Sequence, residues 1–139
     1  MLQQIQDTKI LLIDDSTETR LISEALLTGL GYKNTSFCSN GVEAFVELLQ
    51  ASDEGEPIKL VLSDWEMPDL DGLALLNKIR QHPQLKNTLF IMMSVNSRKE
   101  EIHQVLEAGA TDYLIKPLTK SSVKEKLEDV LTKNNPIQN

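Results

Sequence analysis

Cysteine is almost missing from this chain. Cys38 stands alone among 139 residues, so no internal disulfide can form. A reducing, cytoplasmic setting is the default expectation for such a sequence. Cys38 itself reads as a small buried hydrophobe rather than a reactive thiol. Cys/His metal spacing is also lacking. The two histidines, His82 and His103, lie in polar, helix-like surroundings, and no catalytic role is expected of either. No apolar run approaches the ~20 residues needed to span a bilayer, so no membrane insertion is expected. The opening Met1–Asp7 has no basic region followed by an apolar core, so no signal peptide is read there. Positive charge is scarce too. The net charge is −7 and the pI is near 4.8. That argues against direct nucleic-acid binding, which needs a basic face, but not against a cation site.

What is present fits one domain of ordinary size, spanning 1–139, with a core over about 9–131 and flexible termini at 1–8 and 133–139. Hydrophobic residues make up 40% of the chain, enough for a core. Lys9–Ile13 is a short apolar run ending in Asp14-Asp15, with Ser16 as a helix N-cap. Ile22, Ala25, Leu26 and Leu30 then recur at helical spacing, and Gly31 stops that helix. Thr35–Cys38 is a weaker, more polar strand. Asn40 followed by Glu43 resembles a capping box, and Phe45, Leu48 and Leu49 give the buried face of a second helix. Ala51–Pro57 reads as a surface loop. Leu60–Ser63 is a buried strand ending on Asp64; Pro68 and Gly72 mark a loop, and Leu73, Leu75, Leu76 and Ile79 begin a helix that ends at His82-Pro83. Thr88–Met93 is a fourth strand ending on Ser94. Ser97–Glu100 reads as a capping box for an amphipathic helix closed by Gly109. Asp112–Ile115 is a short fifth strand before Lys116-Pro117. A last helix carries Val123, Leu127, Val130 and Leu131, with Thr119, Ser121 or Ser122 as its cap.

Five strands alternating with five helices, without internal repeat, predict an α/β fold. The strands should be parallel and the helices should cover both sheet faces, a doubly wound arrangement. The polar second strand belongs at an edge, in keeping with order 2-1-3-4-5.

The chemistry gathers at the strand ends. Strand one ends on Asp14 and Asp15, strand three on Asp64, strand four on Ser94 and strand five on Lys116. A parallel sheet places all these ends along one edge, with neighbouring strands ~4.8 Å apart. Each residue alone has a plain structural explanation as a cap, a turn residue or a solvated charge. Their coincidence favours a site. Clustered carboxylates repel unless a cation neutralises them, and an all-oxygen set suits Mg²⁺, with Mn²⁺ possible. A carboxylate beside such a metal, with an ammonium and a hydroxyl at hand, has the makings of a nucleophile toward phosphorus.

Taken with the Met67-Pro68…Asp71-Gly72 loop, Tyr113 and Lys116-Pro117, these residues resemble the response-regulator receiver domains of two-component signalling. The resemblance runs from about Lys9 to Leu131, and Ser63–Pro68 looks especially like single-domain chemotaxis receivers. It implies a flavodoxin-like (βα)5 sheet of order 2-1-3-4-5. It also implies that Asp64 is the phosphoacceptor, and that Asp15, Asp64 and the Glu66 backbone carbonyl ligate Mg²⁺, with Asp14 acting mainly through water. Ser94 and Lys116 would bind the phosphoryl group, and the Lys116-Pro117 bond would be cis. Ser94 and Tyr113 would form a switch, Tyr113 swinging inward as Ser94 moves toward the phosphoryl group. Without that role Tyr113 would be a half-buried aromatic with its hydroxyl in water. Glu66, Val95 and Asn96 form a rim expected to tune dephosphorylation.

The implied partners are a sensor histidine kinase or phosphotransfer protein, and a downstream protein that reads the face of the fourth helix, fifth strand and fifth helix. On this reading the chain is not an enzyme beyond its own phosphorylation and dephosphorylation. Two other functions compete. A Mg²⁺-dependent aspartyl-phosphate phosphohydrolase usually carries Asp-x-Asp after strand one and a substrate-binding insertion. A flavodoxin-like cofactor binder needs a Ser/Thr/Gly-rich phosphate loop there.

Overall fold

Alternate residues of each central strand enter opposite hydrophobic cores, and this organises the computed structural model of residues 2–133. The strands are β1 (Lys9–Ile13), β2 (Asn34–Cys38), β3 (Leu60–Asp64), β4 (Leu89–Ser94) and β5 (Asp112–Ile115). They form one parallel sheet in the order β2-β1-β3-β4-β5, as expected. Leu11, Ile13, Val61, Phe90 and Met92 point to one side, against α3 (Gly41–Asp53), α4 (Gly72–Gln81) and α5 (Lys99–Glu107). Ile10, Leu12, Leu60, Leu62, Ile91 and Met93 point to the other, against α1 (Leu2–Gln6), α2 (Thr17–Gly29) and α6 (Lys120–Lys133). Burial on both faces explains why the central strands read as unbroken apolar runs. Each fully buried Leu or Ile contributes roughly 1.5–3 kcal/mol relative to exposure. No described helix is long and apolar enough to cross a membrane.

The expected caps form at Ser16 and Asn40, whose side chains accept from Thr19 N and Glu43 N. Gly31 follows α2 at φ +96°, a conformation that glycine adopts without strain. Thr119 caps α6, exchanging hydrogen bonds with Ser122.

Several expectations are corrected. The segment 1–8 is not simply a flexible terminus: residues 2–6 form α1, Ile5 is buried, and Gln6 Nε2 donates to Leu30 O at 2.7 Å. The part of the expected flexible tail at 134–139 lies outside the described residues, whereas Lys133 ends α6 and pairs with Asp129. The helix α3 runs on to Asp53, through the start of the stretch read as a loop. Ser97 caps nothing; Arg98 occupies the N-cap of α5 without a side-chain hydrogen bond. On α2, Ile22 and Ala25 are exposed, while Ser23 and Leu27 are buried. Ser23 tolerates burial because its hydroxyl donates to Thr19 O.

Candidate functional site

Strand geometry delivers the predicted residues to one cleft. Asp14 leaves the end of β1 and is fully buried. Its burial is tolerable because both carboxylate oxygens are engaged: Oδ1 accepts from Ser16 N at 3.0 Å and Oδ2 from Lys116 Nζ at 3.1 Å. Asp64, the last residue of β3, places Oδ1 3.2 Å from the same ammonium. Lys116 follows β5 and is held there by its backbone N–H, which donates to Ser94 O at 2.8 Å. The Lys116-Pro117 bond is cis, as expected. Asp15 is exposed, yet Asp14, Asp15 and Asp64 each bring a carboxylate oxygen within 4.8 Å of the others.

The charges act on one another. Burial raises the Asp64 carboxyl above its ordinary value; Lys116 pulls it back, and Asp14 and Asp15 push it up further. Burial would lower the Lys116 ammonium, but Asp64 and Asp14 outweigh it and hold the group above its usual value. The cluster thus gains by keeping a cation among the carboxylates.

Ser94 is buried at the end of β4, and its Oγ accepts from Asn96 N at 3.1 Å. Tyr113 is only 5% exposed, and its hydroxyl donates to Asn96 O at 2.7 Å. A half-buried ring with a wet hydroxyl is therefore not what the fold adopts: the ring already points inward. Burial raises the phenol, a hydrogen bond with Ser94 offsets part of this, and the Glu101 charge adds to the rise. Of the rim residues, Glu66 and Val95 are exposed, Val95 to 73%. Val95 joins Ile22, Pro117 and Leu118 along an apolar groove of about 300 Å³ beside Lys116. On the other side, a cavity of about 310 Å³ is lined by Trp65, Glu66, Asp71, Ser94, Asn96, Glu101 and Gln104.

Three roles were not read from the sequence, although Asp71 and Gly72 belong to its loop motif. Asp71 caps α4, its Oδ1 accepting from Ala74 N at 2.8 Å; an Asp just before a helical pattern was the available signal. Gly72 packs against Asp64: a Cβ there would fall 2.4 Å from Asp64 O and 2.7 Å from Met92 Sδ. Glu101 borders the second cavity, and no local pattern marks it.

A parallel doubly wound sheet whose carboxyl edge holds an acidic cleft bridged by a lysine is the architecture of a receiver domain. Comparison with known proteins agrees. Residues 10–128 match the response regulator receiver domain, and the chain belongs to that family. It is 38% identical over 123 residues to a chemotaxis protein CheY homolog of Campylobacter jejuni, covering 88% of this chain and 92% of that one. It is 37% identical over 126 residues to chemotaxis protein CheY1 of Helicobacter pylori, covering 91% and 98%. Among solved structures, Vibrio cholerae CheY4 superposes with a TM-score of 0.77 at 27% identity, covering 90% and 99%. The receiver domain of a Pseudomonas aeruginosa sensor histidine kinase, solved with a magnesium ion in its active-site cleft, gives 0.76 at 26% identity, covering 90% and 98%.

Proposed function

We propose that the chain is a phosphorylation-operated signalling receiver of the chemotaxis type, with Asp64 as the phosphoacceptor. The observation that carries this is the Lys116 ammonium lying between Asp14 Oδ2 and Asp64 Oδ1, with Asp15 completing the acidic cluster. The donor set is all oxygen, which suits Mg²⁺ or Mn²⁺. Asp15, Asp64 and the Glu66 backbone carbonyl would hold the metal directly, and Asp14 through water. When bound, it supplies charge neutralisation for the phosphoryl oxygens.

Asp64 Oδ attacks phosphorus on the phosphohistidine of a sensor kinase or phosphotransfer protein. The O–P bond forms as the P–N bond breaks, and the electron pair leaves with the imidazole. Lys116 pairs with a phosphoryl oxygen, and the Ser94 hydroxyl donates to another. Ser94 gives up its bond from Asn96 N, and the Asn96–Tyr113 linkage carries the change to the face of α5, β5 and α6, where Leu106 and Ile115 are exposed. A downstream protein would dock there. Glu66, Val95 and Asn96 would set the lifetime of the acyl phosphate. A cytoplasmic location accompanies this role.

The test is incubation with Mg²⁺ and acetyl phosphate followed by intact-mass analysis. A single labile phosphoryl adduct is expected, absent in Asp64→Asn. No adduct in the wild type, or one unchanged in the variant, overturns the assignment. Trp65, next to the acceptor, should report Mg²⁺ binding by fluorescence.

A further inference from the structure

Glu101 stands beside this chemistry without a part in it. It lies in the first turn of α5, and its side chain is 26% exposed. Its Oε2 is buried and has no hydrogen-bond partner among the described residues. Its Oε1 is 3.9 Å from Arg98 Nε, but that side chain is 74% exposed, so water and salt weaken the pair. A carboxylate oxygen withdrawn from water without a donor costs stability. Stability therefore does not explain this placement.

What Glu101 faces is informative. It shares the 310 Å³ cavity with Ser94, Asn96, Trp65 and Glu66. Trp65 follows Asp64 in the chain, and Ser94 follows Met93, the β4 residue in register with Asp64. The Glu101 charge is also felt at Tyr113, whose hydroxyl holds the Asn96 carbonyl. One carboxylate thus reaches the surroundings of the acceptor and the element expected to relay its state. The first turn of α5 lacks a side-chain cap, since its N-cap Arg98 makes no side-chain hydrogen bond to it.

We propose that Glu101 is a positioning residue that couples charge at Asp64 to the first turn of α5 by like-charge repulsion. The inference rests on Asp64 being the phosphoacceptor. The acyl phosphate carries about −1.5 to −2 charges where the Asp64 carboxylate carried −1, and the added charge sits beside a cavity that already holds Glu66 and Glu101. Within a partly buried cavity such charges interact across a lower effective dielectric than in water. No donor anchors Glu101 Oε2 inward, so the carboxylate moves toward solvent and draws Lys99–Ile102 with it.

Hydrogen exchange of the α5 amides, with and without Mg²⁺ and acetyl phosphate, tests this in Glu101→Gln and Glu100→Gln. Both substitutions remove one negative charge from the same helical turn, but Glu100 is exposed and outside the cavity. Phosphorylation should speed exchange at 99–102 by about threefold or more in wild type and Glu100→Gln, and by less than about a third of that increment in Glu101→Gln. Glu101→Gln should fold with an unchanged or higher Tm, since it relieves an unpaired charge. A full increment in Glu101→Gln overturns the proposal, as does an equal loss in both variants. A wild-type adduct without any change in α5 overturns it while leaving Asp64 as acceptor. No adduct in any variant overturns the functional reading and this inference with it.

Discussion

Lys116 Nζ sits 3.2 Å from Asp64 Oδ1, although β4 separates the strands that carry them. The lysine side chain is long enough to span the end of the intervening strand, β4. The same ammonium reaches Asp14, so one cation serves two buried or half-buried carboxylates. Lys116→Met should leave both without it. Breaking a buried pair this way costs about 3–5 kcal/mol, less to the extent that water enters, and urea denaturation at pH 7 measures it. The deficit should shrink as pH falls, because burial holds the Asp64 carboxyl above its ordinary value and it takes up a proton early. Phosphorylation by acetyl phosphate should slow by about 100-fold, as for loss of one transition-state donor. A variant as stable and as reactive as wild type would refute this role.

Gly72 has no room for a side chain. Its N–H donates to Trp65 O at 2.7 Å, and a Cβ would collide with Asp64 O and Met92. Backbone cannot yield as a flexible side chain can. Gly72→Ala should lose about 1–3 kcal/mol by urea denaturation and, on the proposed reading of Asp64, lower the yield of adduct, because the strain falls on the Asp64 peptide. A change within about 0.5 kcal/mol would show that the loop relaxes freely.

Arg80 ties distant loops together far from the chemistry. Its Nε donates to Gly109 O at 2.9 Å, and Nη1 donates to Lys86 O at 2.9 Å and Thr88 O at 2.6 Å. These carbonyls precede β4 and β5, the strands that present Ser94 and Lys116. Arg80→Ala leaves three acceptors without this donor and should cost about 2–4 kcal/mol. Arg80→Lys should recover less than half, since an ammonium lacks the planar fork. Thermal unfolding of the two variants decides the matter.

Tyr32 gives a pH signature free of the cleft. Burial, reinforced by Glu128, pushes its phenol up to about 12 from an ordinary 10. The folded state therefore holds this proton after the unfolded chain has lost it. The resulting stability is fully present below pH 10 and disappears as pH rises through about 12. The contribution is about 3 kcal/mol. Tyr32→Phe should flatten the fall in stability between pH 10 and 12 by that order. Identical alkaline profiles for the two proteins would contradict it.

The sequence alone determined which segments become strands, where their polar ends fall and which carboxylates share an edge. Strand runs such as Leu60–Ser63 and caps such as Ser16 and Asn40 act over a few residues, so local pattern suffices. Parallel pairing then forces Asp14, Asp64, Ser94 and Lys116 to one side of the sheet whatever the strand order. Distances were a different matter. That Lys116 lies between Asp14 and Asp64 depends on β3, β4 and β5 being neighbours, with β1 beside β3. That Ser23 turns inward while Ile22 faces water depends on how α2 is rotated against the sheet, since adjacent stripes fit the same periodicity. Tyr113 pointing inward and Glu101 left without a donor are likewise products of packing between elements far apart in the chain. Short-range periodicity encodes the elements; only their mutual placement fixes side-chain distances, and the chemistry of this cleft depends on those distances.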